Sequence, residues 1–212
     1  MNRIPIFLLF LLTTLFNSSY SQISDNFSDG NITENPPWSG NTANFKVNEE
    51  NQLQLNAPNT AGISYLSTAS EIVSNAEWSF YLKLEFNPSS NNYIDVYLVS
   101  DQANLTGSLN GYFVRVGNTA DEISLYRQSG EKSAIQKIID GQDDRVDQSQ
   151  VELKIKVTRN HTNEWELLVD ADLTEHFISE GTVTDQTFYF SRHFGIVCNY
   201  TATRSDKIYI DN

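Results

Sequence analysis

Apolar side chains recur at every second position along most of this chain, which is the period of a β-strand and not of a helix. Val151, Leu153, Ile155 and Val157 fall on one face of such a run, with Glu152, Lys154, Lys156 and Thr158 on the other. A turn through Asn160-His161-Thr162-Asn163 leads to Trp165, Leu167 and Val169, which alternate in the same way and predict the hairpin partner. Trp78, Phe80, Leu82, Leu84 and Phe86 form an earlier strand, stopped by Asn87-Pro88-Ser89-Ser90-Asn91-Asn92. Further strands are expected at 44–48, 52–56, 64–67, 93–99, 111–116, 123–128, 133–139, 187–200 and 207–210. Residues 175–179 fit either a turn of helix or a strand. No window carries a helical stripe, and no linker, repeat or low-complexity tract divides the chain. About a dozen short strands at this spacing predict one all-β domain, a two-sheet antiparallel sandwich or jelly roll.

Residues 1–21 stand apart from that pattern. Arg3 gives a short positive start, Ile4 to Phe16 an apolar run, and Ser19-Tyr20-Ser21 a small-x-small cleavage pattern. A signal peptide cleaved before Gln22 is expected, leaving 22–212 as a single domain. The apolar run is roughly 13 residues where a membrane span needs about 20, so stable membrane insertion is not expected. No cysteine lies near the cleavage point, which argues against a lipoprotein. Asp211-Asn212 follow directly on the apolar strand Ile208-Tyr209-Ile210, and downstream domains of the same polypeptide are expected.

Without Arg3, the chain's 14 basic residues become 13 against 27 acidic ones, a formal charge near −14. That surface repels nucleic acid and anionic lipid and tolerates neutral glycans, cations or basic partners. It also serves simply to keep a secreted protein soluble. Cys198 is the only cysteine, so no intrachain disulfide can form. It sits in the alternating run Phe194, Ile196, Cys198, Tyr200 and reads as a small buried hydrophobe.

Several segments together carry a family likeness. They are Asn35-Pro36-Pro37-Trp38-Ser39-Gly40, Phe86 to Tyr93, Asn110 to Gly117, Asp121 to Arg127, Tyr200 to Arg204 and Ile208 to Asn212. In order and spacing, the chain resembles the concanavalin A-like (laminin G-like) jelly-roll module found at the N-terminus of large secreted proteins of Gram-negative bacteria. Such proteins often carry a lamin-tail domain. The resemblance covers 25–212 and implies a module within a larger surface protein, with no catalytic residues to carry over.

Catalytic patterns are poor. Jelly-roll glycosidases converge two carboxylates on one bond, about 5–5.5 Å apart when they retain configuration. The nearest approximation is Asp170-Ala171-Asp172-Leu173-Thr174-Glu175, in which Glu175 is out of phase with Asp170 and Asp172. An exposed turn is the expected reading. His161, His176 and His193 are scattered, with no zinc spacing among them. Calcium is a better candidate: Asp140, Asp143 and Asp144, with Asp147 beyond, concentrate carboxylate oxygens in one loop.

The sharpest expectation concerns one face of three strands. Tyr93, Asp95 and Tyr97 alternate with the apolar Ile94, Val96 and Leu98, Arg115 with Val114 and Val116, and Tyr126 with Ile123 and Leu125. If the strands are neighbours, Tyr93, Asp95, Tyr97, Arg115 and Tyr126 meet as a ligand-binding face. Aromatic rings offer flat apolar platforms, and Asp and Arg bond sugar hydroxyls. Tyrosine also favours strands without any ligand, and Tyr–Arg cross-strand pairs stabilise sheets. The expected function is a non-catalytic binding or adhesion module for extracellular carbohydrate. The alternative is an architectural spacer in a larger surface protein, with a β-glycan hydrolase third.

Overall fold

The computed structural model describes residues 23–211; the expected signal sequence, its cleavage point at Gln22, and Asn212 lie outside the described residues. Alternation becomes structure as two seven-stranded antiparallel sheets. In chain order the first sheet takes β1 (Ser39–Gly40), β4 (Gly62–Ala69), β6 (Tyr93–Ser100) and β7 (Leu109–Gly117). It also takes β8 (Glu122–Gly130), β9 (Ile135–Ile139) and β13 (His193–Tyr200). Their spatial order is β1-β4-β13-β6-β7-β8-β9. The second sheet takes β2 (Phe45–Val47), β3 (Leu53–Leu55), β5 (Ala76–Leu84) and β10 (Val151–Arg159). With them go β11 (Glu164–Asp170), β12 (Ile178–Thr184) and β14 (Ile208–Asp211). Their order is β12-β11-β10-β5-β14-β3-β2.

The expected hairpin forms, with Ile155 opposite Val169 and Val157 opposite Leu167. Two expectations need correction. The strand placed at 187–200 begins only at His193, because residues 185–192 leave the sheet and close one end of the sandwich. The ambiguous stretch 175–179 feeds β12, an edge strand that continues to Thr184 through a register shift against Leu167 and Leu168.

Between the sheets lies the main core. Ile94, Val96, Val114, Val116, Ile196 and Cys198 face Phe80, Leu82, Leu153, Ile155 and Val157, all of them buried. Cys198 is fully buried, and burial pushes its thiol pKa well up, so it packs as a hydrophobe and is no nucleophile. Removing one such side chain from a core of this kind costs about 2–5 kcal/mol. Trp78 stacks on Trp165 at 5.6 Å between ring centroids. Asp185 locks the end-closing loop: it accepts Tyr112 Oη at 2.5 Å and pairs with Arg127, and its carbonyl accepts Trp165 Nε1 at 3.1 Å.

Candidate functional site

Period-2 geometry sends every second residue of β6, β7 and β8 to the side of the first sheet facing away from the core. The strands are adjacent, with Asp95 opposite Arg115, Tyr97 opposite Phe113, and Phe113 opposite Tyr126. All five expected residues meet. Arg115 donates from Nε and Nη2 to the two Asp95 carboxylate oxygens at 2.6 and 2.9 Å. Its guanidinium lies over three rings, with Cζ 4.4 Å from the Tyr93 centroid, 5.3 Å from Tyr126 and 5.4 Å from Phe113. Burial works against the Arg115 charge, but the bonds to Asp95 prevail and raise its pKa.

These residues form a second small core more than an open platform. Tyr97 and Asp95 are fully buried, Tyr126 is 5% and Arg115 8% exposed, and Tyr93 is half-buried. Tyr97, Phe113 and Tyr126 pack with Leu105, Leu109 and Val197. Burial raises the pKa of each tyrosine hydroxyl. Two loops make the roof. Residues 101–108 are tied down by the Ser67 hydroxyl on the Ala103 carbonyl at 2.8 Å and by Gln128 Nε2 on the Gly107 carbonyl at 3.1 Å. They press Leu105 onto the Tyr97 end.

From the β8–β9 turn, Lys132 donates to Tyr97 Oη at 3.1 Å and sits 3.6 Å from Asp95. Burial pulls its ammonium pKa below the usual lysine range, with Asp95 offsetting only part of that. What remains for a ligand is the other end of the stack: the Tyr93 ring, the Arg115 edge and the Lys132 ammonium. Arg115 Nη1 makes no hydrogen bond among the described residues.

Sequence period had no means of finding Lys132 or Leu105, since both come from loops. A lone leucine in the polar run Asn104-Leu105-Thr106 is the only hint. Tyr189 and Phe190 also escaped, having been assigned to a strand; they sit on the end-closing loop, 65% and 52% exposed.

Other expected residues are brought to different ends. Asp170 is buried and accepts the backbone N–H groups of Thr174 and Glu175 at 3.2 and 2.8 Å. Asp172 accepts the Thr174 hydroxyl, and Glu175 pairs with Lys154. These three carboxylates organise one turn and converge on no common point. Asp140 pairs with Lys137, which also grips the buried Glu122 at 2.6 Å. Asp143 and Asp144 are exposed. Calcium takes six to eight oxygens, and no group of three or more His, Cys, Asp or Glu side chains among the described residues is placed to hold a metal. As arranged, the Asp140–Asp144 loop does not fit the ion.

No family model matches the chain, and no curated protein does. Solved structures resemble it in shape. The carbohydrate-binding module CBM66 from Bacillus subtilis matches with a TM-score of 0.50 at 14% identity, over 82% of this chain and 90% of that one. The exoplasmic/lumenal domain of VIP36, in its Ca2+/Man-bound form, matches at 0.55 and 10% identity, over 82% and 79%. A legume lectin-like domain from Entamoeba histolytica matches at 0.53 and 14% identity, over 94% and 96%. Likeness at such identities shows the fold, which is the expected concanavalin A-like two-sheet sandwich.

Proposed function

We propose that this chain is a secreted, non-catalytic carbohydrate-binding module that serves adhesion within a larger surface protein. A glycan meets the outer face of the first sheet at Tyr93, Arg115 and Lys132. The carrying observation is the Arg115 guanidinium, fixed by Asp95 from below and bracketed by aromatic rings, with Nη1 still unspent. Such a group presents rigid donors to hydroxyl and ring oxygens, beside a tyrosine face for a sugar's C–H surface. Rigidity matters because less entropy is lost on binding. The names of the similar folds, a carbohydrate-binding module and a Man-bound lumenal domain, support a sugar as the ligand. Secretion rests on residues 1–21; among the described residues no helix is long and apolar enough to cross a membrane.

The test is binding of the secreted chain to a panel of polysaccharides, with Tyr93→Ala and Lys132→Ala beside it. A selective hit, lost in both variants while their melting temperatures hold, supports the reading. A blank panel from a cooperatively folded sample sinks it.

A second reading has its own observation. Leu105 and Lys132 cover the Tyr97 end of the face, and Asp95, Arg115 and the rings satisfy one another. A blank panel would leave that stack as pure scaffolding and the chain as an architectural module.

A further inference from the structure

Residues 23–38 cross the gap between the sheets and roof a cavity of about 180 Å3. Its walls are mostly aromatic: Phe27, Trp38, Trp78, Phe80 and Phe194. A dry apolar cavity of about 150 Å3 is large enough to take up benzene. Size and lining alone describe only a packing defect. The second observation is a hydrogen-bond donor with nothing to donate to.

The chain has three tryptophans, and two have their indole N–H satisfied: Trp38 on Asp25 at 2.7 Å and Trp165 on the Asp185 carbonyl at 3.1 Å. Trp78 is 7% exposed, lines the cavity, and its Nε1 has no partner. A buried donor left unpaired is costly, and the great majority of such groups in folded proteins are paired. Stacking on Trp165 fixes the ring, so it has little freedom to seek a partner elsewhere.

We propose that this cavity is a binding site for a small uncharged molecule, mostly apolar and the size of a substituted benzene, carrying one acceptor for the Trp78 N–H. Charge selects against anions. Asp25, Glu77 and Asp211 also line the cavity, and of the printed ion pairs only Lys156 faces any of them, at 3.4 Å from Glu77. Entry is through the strap. Trp38 bonds within it, by its N–H to Ile32 and its indole to Asp25. Its ties to the body include the Thr68 hydroxyl on the Pro37 carbonyl at 3.0 Å and the Trp38–Phe194 ring contact. This site lies between the sheets, apart from the glycan face, and stands or falls independently of it.

Acetophenone tests the idea, since its carbonyl accepts and its ring fits. Cumene is the control without an acceptor and benzoate the anionic control. In the wild-type protein, acetophenone should shift the Trp78 indole 1H–15N resonance, assigned by its disappearance in Trp78→Phe, and benzoate should not. Trp78→Phe keeps a ring but drops the donor, so the preference for acetophenone over cumene should fall about fivefold, the worth of one neutral hydrogen bond. Ile72→Trp, which fills the cavity, should abolish both. An unmoved Trp78 resonance at the solubility limit of acetophenone overturns the proposal, as does an unchanged preference in Trp78→Phe. The wild-type titration decides the matter even where a variant folds poorly.

Discussion

Asp95 on β6 and Arg115 on β7 are cross-strand partners joined by two hydrogen bonds, and both are buried on the side of the sheet away from the main core. A buried pair of this kind is costly to break from one side, because the remaining charge is left uncompensated. Asp95→Asn should therefore cost about 3–5 kcal/mol by urea denaturation. Replacing both residues, as Asp95→Leu with Arg115→Met, should cost clearly less than the two single changes together. A loss under about 1 kcal/mol for Asp95→Asn would mean that the pair is solvated in solution.

Phe113 is held between Tyr97, at 4.8 Å, and Tyr126, stacked at 5.2 Å. Truncating Tyr126 opens a void in that stack and should cost about 3–5 kcal/mol, as for other buried aromatic residues. Tyr93, half-buried at the margin, should cost about 1 kcal/mol when changed to Ala. The contrast is measured by thermal melts of the two variants. Equal, small losses would show that the roof of residues 101–108 and Lys132 is open in solution and that Tyr126 is a surface residue after all.

The alternation that placed Tyr93, Asp95, Tyr97, Arg115 and Tyr126 on one face was legible because strand period is a local rule. Strand adjacency, which brings those residues together, was a conditional expectation, and the β6-β7-β8 order meets it. Burial was not legible. Whether a strand's outer face meets water depends on loops from elsewhere in the chain, here Leu105 and Lys132, and loops have no period. The same limit hid the end-closing segment: Phe188, Tyr189 and Phe190 read as strand by composition, but Asp185 draws that stretch off the sheet through Tyr112, Arg127 and Thr187. The acidic loop failed for a related reason. Carboxylates close in sequence are not convergent in space, and Asp140 is already paired with Lys137.

Gly111 carries a prediction from steric contact alone. It sits opposite Ser100, beside the irregularity where the β6–β7 register shifts between Tyr97 and Val99. A Cβ there would lie 2.0 Å from the Val99 carbonyl oxygen, which is backbone and has nowhere to go. Gly111→Ala should cost about 3 kcal/mol or more, at the upper end of overpacking penalties. A variant that melts within a few degrees of wild type would show that the β6–β7 ladder can shift there.

Calcium is expected to leave stability unchanged, since Asp140 is paired with Lys137 and no carboxylate cage forms among the described residues. Melting temperatures in millimolar calcium and in chelator should coincide. A rise of several degrees with calcium would mean that the 140–147 loop rearranges to gather its oxygens around the ion.

Acid should act through Asp185. Burial alone would raise its pKa, but the Tyr112 hydroxyl, the Thr187 N–H and Arg127 hold it below the usual carboxylate range. A carboxylate depressed in the folded state contributes stability that is present above its unfolded pKa, about 3.9, and is lost as pH falls through the folded value. Urea midpoints should accordingly decline from about pH 5 downward. Asp170 adds to the same slope, because the N–H groups of Thr174 and Glu175 outweigh the effect of burial on it. Asp25 and Asp121, both raised chiefly by burial, oppose it. Comparison with Asp185→Asn isolates the one residue: the variant should lose about 2–3 kcal/mol at pH 7, the worth of hydrogen bonds to a charged group. It should also lose less on acidification than wild type does. Parallel pH profiles for the two proteins would show that Asp185 is not charged where it binds Tyr112, and that the end-closing loop is held by its backbone carbonyl alone.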